Sequence, residues 1–85
     1  MNIPENTYLS TTTEYHYVFQ PNYSAKISLT YSYNNNDYGC SYTIYEGGKE
    51  VTILFCINKF SSKEEALEHC FKSLLEWAEK REIND

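Results

Sequence analysis

The chain changes its hydrophobic period once. Over residues 11–57 apolar and polar side chains alternate, and over residues 61–83 apolar ones recur every three or four positions. A chain with that single switch places strands first and a helix last. The expected fold class is therefore α+β: a four-stranded antiparallel sheet, a meander, with one C-terminal amphipathic helix packed on one face. Eighty-five residues hold a single domain, 1–85, and no second core.

Residues 1–10 include Asn2, Pro4, Asn6 and Ser10, lack periodicity, and form an irregular N-terminal arm. The first strand, 11–20, carries Tyr15, Tyr17 and Phe19 on one face and His16 and Val18 on the other, and either set can turn inward. After Pro21-Asn22 the segment 25–33 alternates cleanly, with Ile27, Leu29, Tyr31 and Tyr33 against Lys26, Ser28, Thr30 and Ser32. Asn34, Asn35, Asn36 and Asp37 suit Asx turns and lead into a third strand at 38–46. There Cys40, Tyr42 and Ile44 share one face, and Ser41, Thr43 and Tyr45 the other. Gly47-Gly48 supplies the positive φ of a tight hairpin, and 50–57 forms the fourth strand. Its core face is expected to be Val51, Ile53, Phe55 and Ile57.

The helix, 61–83, has two adjacent capping boxes to start from, Ser61 with Glu64 or Ser62 with Glu65. Leu67, Cys70, Phe71, Leu74 and Ala78 form its apolar stripe, flanked by Trp77 and Leu75. Glu65, Glu68, Lys72, Glu76, Glu79 and Lys80 lie opposite, where Glu68–Lys72 and Glu76–Lys80 have favourable spacing.

Twelve acidic residues against seven basic ones give a net charge of -5, a field that repels phosphate backbones and anionic lipid surfaces. The longest uninterrupted apolar run, 53–57, is far below the roughly 20 residues of a membrane span, so no membrane partner is expected. The opening residues lack the basic patch and apolar stretch of a secretory signal, and a cytoplasmic location follows as the expectation. Cys40, Cys56 and Cys70 are an odd set within apolar segments, the pattern of buried, reduced thiols without a disulfide.

A thiol or imidazole catalyst needs a base within hydrogen-bond reach in a cleft, and Cys40, Cys56, Cys70, His16 and His69 show no spacing that arranges one. No CxxC-type pair points to zinc, and the paired glycines sit in a hairpin rather than before a helix that would complete a phosphate site. The expectation is no enzyme activity, no catalytic residues, no metal and no cofactor.

Nine tyrosines exceed what so small a core can bury with every hydroxyl satisfied. Tyrosine is enriched where one protein grips another, so the expected partner is another protein, held by Tyr15, Tyr17 and Tyr45 on the sheet and by Glu65, Glu68, Glu76 and Glu79 on the helix. Six carboxylates between Glu64 and Glu82 imitate part of a DNA strand's charge, although Lys63, Lys72, Lys80 and Arg81 reduce the helix to -2. Small size, acidity and no catalytic kit suit a stoichiometric inhibitor of a host nucleic-acid enzyme, of the anti-CRISPR or anti-restriction kind that phages and mobile elements use. The alternative is a single-stranded nucleic-acid binder that stacks bases on sheet tyrosines. Against it, Lys26 is the only cation in the first 48 residues. A homodimer through an exposed strand is also expected, because the core is small and the sheet has edges.

Overall fold

A computed structural model describes residues 2–83. The alternating segments form β1 (Ser10–Gln20), β2 (Tyr23–Ser32), β3 (Asp37–Glu46) and β4 (Lys49–Phe55), and the helical segment forms α1 (Lys63–Ile83). The strands pair antiparallel in the order β1-β2-β3-β4. With α1 packed on one face, the result is the α+β meander that the switch in period predicts.

Turn chemistry sets the strand connections. Gly47 and Gly48 both take positive φ, 59° and 85°, which the two-residue β3–β4 hairpin demands. Asn36 is left-handed at 55° in the β2–β3 turn, and its Oδ1 accepts from the Tyr31 hydroxyl at 3.0 Å. Asn34 ties down the N-terminal arm, accepting from the Leu9 amide at 2.8 Å and donating to the Thr7 carbonyl at 2.9 Å.

The core lies between one sheet face and α1. Ala25, Ile27, Leu29, Cys40, Tyr42 and Ile44 meet Ala66, Cys70 and Leu74, all of them buried. The helix stripe repeats every four residues through Ala66, Cys70, Leu74 and Ala78, with small residues at three positions that let the helix approach the sheet. Ala66 joins the stripe unforeseen. Leu67, Phe71 and Trp77 flank it half-buried, whereas Leu75, expected on the flank, is 40% exposed.

The second of the two capping registers is used. The Ser62 hydroxyl accepts from the Glu65 amide at 3.2 Å, and the Glu65 carboxylate accepts from the Ser61 hydroxyl at 3.1 Å. Ser62→Ala is expected to lower stability by about 1 kcal/mol, measurable as a shift in the urea midpoint, with Ser61→Ala smaller. At the other end Arg81 donates to Glu46 Oε1 from Nε at 3.0 Å and lies over the Trp77 ring, whose edge meets Tyr23. That contact pins the helix C-terminus to the end of β3.

Two facings depart from the sequence reading or resolve it. In β1, Tyr15 stands opposite Ile27 and Tyr17 opposite Ala25, so these tyrosines turn toward the helix. In β4 the expected core face is reversed: Tyr42 pairs with Leu54 and Ile44 with Thr52, which puts Leu54 on the helix side. Ile53, Phe55 and Ile57 are instead 48%, 77% and 92% exposed. The physical cause is a bulge. The hairpin pairs Glu46 with Lys49 and Tyr45 with Glu50, but Ile44 then pairs with Thr52 and leaves Val51 without a partner. A one-residue slip moves every later side chain to the opposite face.

Candidate functional site

The sheet face away from α1 is open, and its composition is uneven. Its centre is polar, with Ser24, Lys26, Ser28 and Thr30 from β2 and Ser41 and Thr43 from β3. Apolar side chains collect at the rims. Val18 on β1 is 74% exposed, and Ile53 and Phe55 on β4 and Ile57, two residues past its end, are 48%, 77% and 92% exposed. Burying any one of these fully is worth about 1.5–3 kcal/mol. A row of three left in water is the kind of patch that marks an interaction surface.

The row coincides with an unpaired strand edge. The Cys56 amide donates to the Cys40 carbonyl at 3.1 Å, so residue 56, and by alternation 54, directs its backbone groups toward β3. Residues 53 and 55 therefore direct theirs outward, and past Cys56 the chain leaves the ladder and rejoins it at Phe60, whose amide and carbonyl pair with Tyr38. α1 passes over β1, β2 and β3, and no β4 Cα lies within 8 Å of a helix Cα. Proteins commonly blunt free edges with charges and bulges. Here Lys49, Glu50 and the Val51 bulge guard one end and Lys59 the other, and residues 53–57 between them carry no such protection.

Lys59 folds back over Gly39. A Cβ at residue 39 would lie 2.9 Å from the Lys59 ammonium. With Ser28, Thr30, Ser41 and Phe55 these residues line a shallow hollow of about 310 Å³ beside the apolar row. A second hollow of about 300 Å³ lies on the helix side, between Thr11, Thr13, Leu29, Tyr31, Tyr33, Tyr38 and Lys63.

The tyrosines are distributed differently from a displayed aromatic face. Tyr23 and Tyr42 are buried. Tyr17 stacks with Phe19 at 5.6 Å and meets Phe71 of α1 at 4.8 Å, and Tyr15 packs half-buried against the core. Tyr31 lies 4.8 Å from both Tyr33 and Tyr38, beyond the start of the helix. Of the strand tyrosines only Tyr45 lies on the open face, half-buried beside Ser24 and Glu50. The alternation of β2 explains this, because register with Ile27 and Leu29 carries most aromatic rings to the helix side.

The carboxylates Glu65, Glu68, Glu76 and Glu79 are all exposed on α1, on the other side of the molecule from the open face. The expected Glu68–Lys72 and Glu76–Lys80 ion pairs do not form within 4 Å. The two pairs among the described residues are Lys26–Glu14 at 3.7 Å and Arg81–Glu46 at 2.9 Å. Glu65 is engaged at the helix cap. The four thus share one surface but do not join Tyr15, Tyr17 or Tyr45 in a single site.

Three free thiols gather around Cys40 of β3, which interacts with Cys70 of α1 and with Cys56 just past the end of β4. The Cys40 thiol is pushed well above its ordinary value, first by its interaction with the Cys70 thiol and then by burial. Burial also raises Cys56, partly offset by a hydrogen bond with the Asn58 backbone. Cys56 is half-buried, unlike the fully enclosed Cys70. Cys56 is therefore expected to be alkylated first, with Cys40 and Cys70 labelling only after unfolding, a separation that peptide mass spectrometry of timed samples reads directly. The His69 ring packs 5.2 Å from Phe60, and its Nε2 lies 3.5 Å from the Ser73 hydroxyl. Among the described residues no cluster of three or more His, Cys, Asp or Glu side chains is arranged to hold a metal ion, and no helix is long and apolar enough to cross a membrane.

The fold and surface define a two-layer α+β domain with one open sheet face and an unguarded apolar edge. No family model matches the chain, and no curated protein or solved structure matches it either.

Proposed function

We propose that this chain is a non-catalytic protein-binding module that engages another polypeptide along the β4 edge. The observation that carries the reading is the row Ile53, Phe55 and Ile57, exposed where the strand's backbone groups are unpaired. Side chains supply apolar burial and the backbone supplies ladder hydrogen bonds, the two ingredients of strand addition. The Val51 bulge strengthens the argument, since without it the same hairpin would turn these residues toward the core.

The open face offers little to a nucleic acid. Its strand aromatics among the described residues are His16, Tyr45 and Phe55, one each on β1, β3 and β4, and its central cation, Lys26, is paired with Glu14. A second reading concerns the helix. Glu68, Glu76 and Glu79 are exposed and make no ion pair among the described residues, which supports contact with a cationic groove and keeps inhibition of a nucleic-acid enzyme, in the manner of an anti-CRISPR or anti-restriction protein, as the proposed target class.

Affinity capture from the source cell, comparing the wild-type chain with Phe55→Lys, tests the proposal. A partner protein recovered by the first and lost by the second is expected. Equal recovery by both variants, or recovery of nucleic acid with a steep salt dependence, contradicts it.

A further inference from the structure

We propose that the β4 edge pairs with the β4 edge of a second copy of this chain, antiparallel, with the two Phe55 residues facing each other across the two-fold axis. The proposal rests on the reading of β4 as a polypeptide-binding edge and names its occupant.

The outward row is palindromic. An axis through Phe55 sets Ile53 of one copy opposite Ile57 of the other, and the reverse, so six apolar side chains meet in one row on the open face. Because residues 53 and 55 direct their backbone groups outward, the Phe55–Phe55 pair is of the hydrogen-bonded kind that exchanges two bonds, and pairing with Ile53 of the second copy draws Ile57, two residues past the end of β4, into the same ladder. On the helix side Leu54 of each copy falls opposite Cys56 of the other, and α1, which stops short of β4, leaves room for that contact. The two sheets become one of eight strands, and neither β4 remains an edge.

Charge favours this join over other faces of the molecule. The segment 49–59 holds Lys49, Glu50 and Lys59, a net +1 in a chain of -5, so two copies meet where repulsion is least.

The area sets the strength. Phe55, 77% exposed, offers on the order of 150 Å². With both copies' isoleucines and strand backbones the contact totals on the order of 1,000 Å², the lower bound for specific association. An area at this lower bound places the association at the weak end, with a dissociation constant on the order of micromolar or higher.

Sedimentation equilibrium of the full chain, from about 1 μM to about 300 μM, tests the pairing. The wild-type chain is expected to shift from 10.0 kDa to about 20 kDa with concentration. Phe55→Lys places two ammonium groups on the axis and is expected to weaken association by about 100-fold or more, while Val18→Lys on the opposite edge changes nothing. Register is tested by rescue: Ile53→Lys alone abolishes the dimer, and Ile53→Lys combined with Ile57→Glu restores it, because these positions face one another. Circular dichroism of each variant confirms folding. A wild-type chain that stays at 10.0 kDa throughout overturns the dimer, as does a Phe55→Lys chain that associates as the wild type does. If that monomeric chain still captures another protein in a Phe55-dependent way, the dimer fails while the binding reading stands. If capture is also lost, both fail.

Discussion

Leu74→Ala is expected to lower unfolding free energy by about 3–5 kcal/mol, most of what a domain of this size has. Leu74 is fully enclosed between Ile27, Ile44 and the helix's own small residues, so its removal leaves a cavity that the rigid sheet does not close. Ile57→Ala removes a comparable side chain from a site 92% in water and is expected to change stability by less than about 0.5 kcal/mol in the monomer. Urea unfolding of the two variants at low protein concentration reads the contrast. Equal losses would mean that β4 has its faces reversed. Leu54→Ala, on the helix side of the same strand, should fall between the two.

The second large effect is alkaline instability. Cys40 and Cys56 have ordinary values of 9.0 and Tyr42 of 10.0, and all three are raised in the folded chain. The Cys70 thiol and then burial raise Cys40, and burial leads for Cys56 and for Tyr42. The unfolded chain gives up these protons near their ordinary values while the folded chain keeps them, so the unfolded state binds fewer protons above about pH 9. Stability is therefore complete below about pH 9 and falls as pH rises, by about 1.4 kcal/mol per pH unit for each retained proton. Cys70, lowered by its interaction with Cys40, acts in the opposite sense and offsets one of the thiols. The net expectation is a progressive loss of stability above about pH 9, seen as a falling urea midpoint. Cys56→Ala, which removes a raised thiol without removing the Cys40 contact that lowers Cys70, should flatten the slope just above about pH 9, and an unchanged midpoint in the wild type would contradict the raised thiols.

Most of this architecture was legible in the residues. The alternation of β2 assigned its faces because serine, threonine and lysine occupy every other position, so only one set is apolar. Gly47-Gly48 located the hairpin because few other residues accept two successive positive φ values. The serines at 61 and 62 marked the helix start, although hydrogen bonding was needed to choose between them. β4 was different. Thr52, Leu54 and Cys56 compete with Val51, Ile53, Phe55 and Ile57, and period two has no preference when both sets are apolar. The deciding event is the Val51 bulge, which no glycine announces. The candidate surface escaped the sequence reading for that reason, because its best members looked like core. Tyrosine abundance misled in the complementary direction. Tyr15 and Tyr17 count as exposed anchors only if β1 faces outward, and their register with Ile27 and Ala25 turns them toward Phe71.

The account stands most directly on amide hydrogen exchange along β4, followed residue by residue by NMR. In dilute solution the amides of Ile53, Phe55 and Ile57 should exchange rapidly, while that of Cys56, bonded to the Cys40 carbonyl, is protected. When the chain is concentrated enough to associate, protection should appear at residues 53, 55 and 57 with little change at 56. Protection of the outward amides in the dilute monomer, or their continued rapid exchange once the chain has associated, would contradict a polypeptide-binding edge at β4.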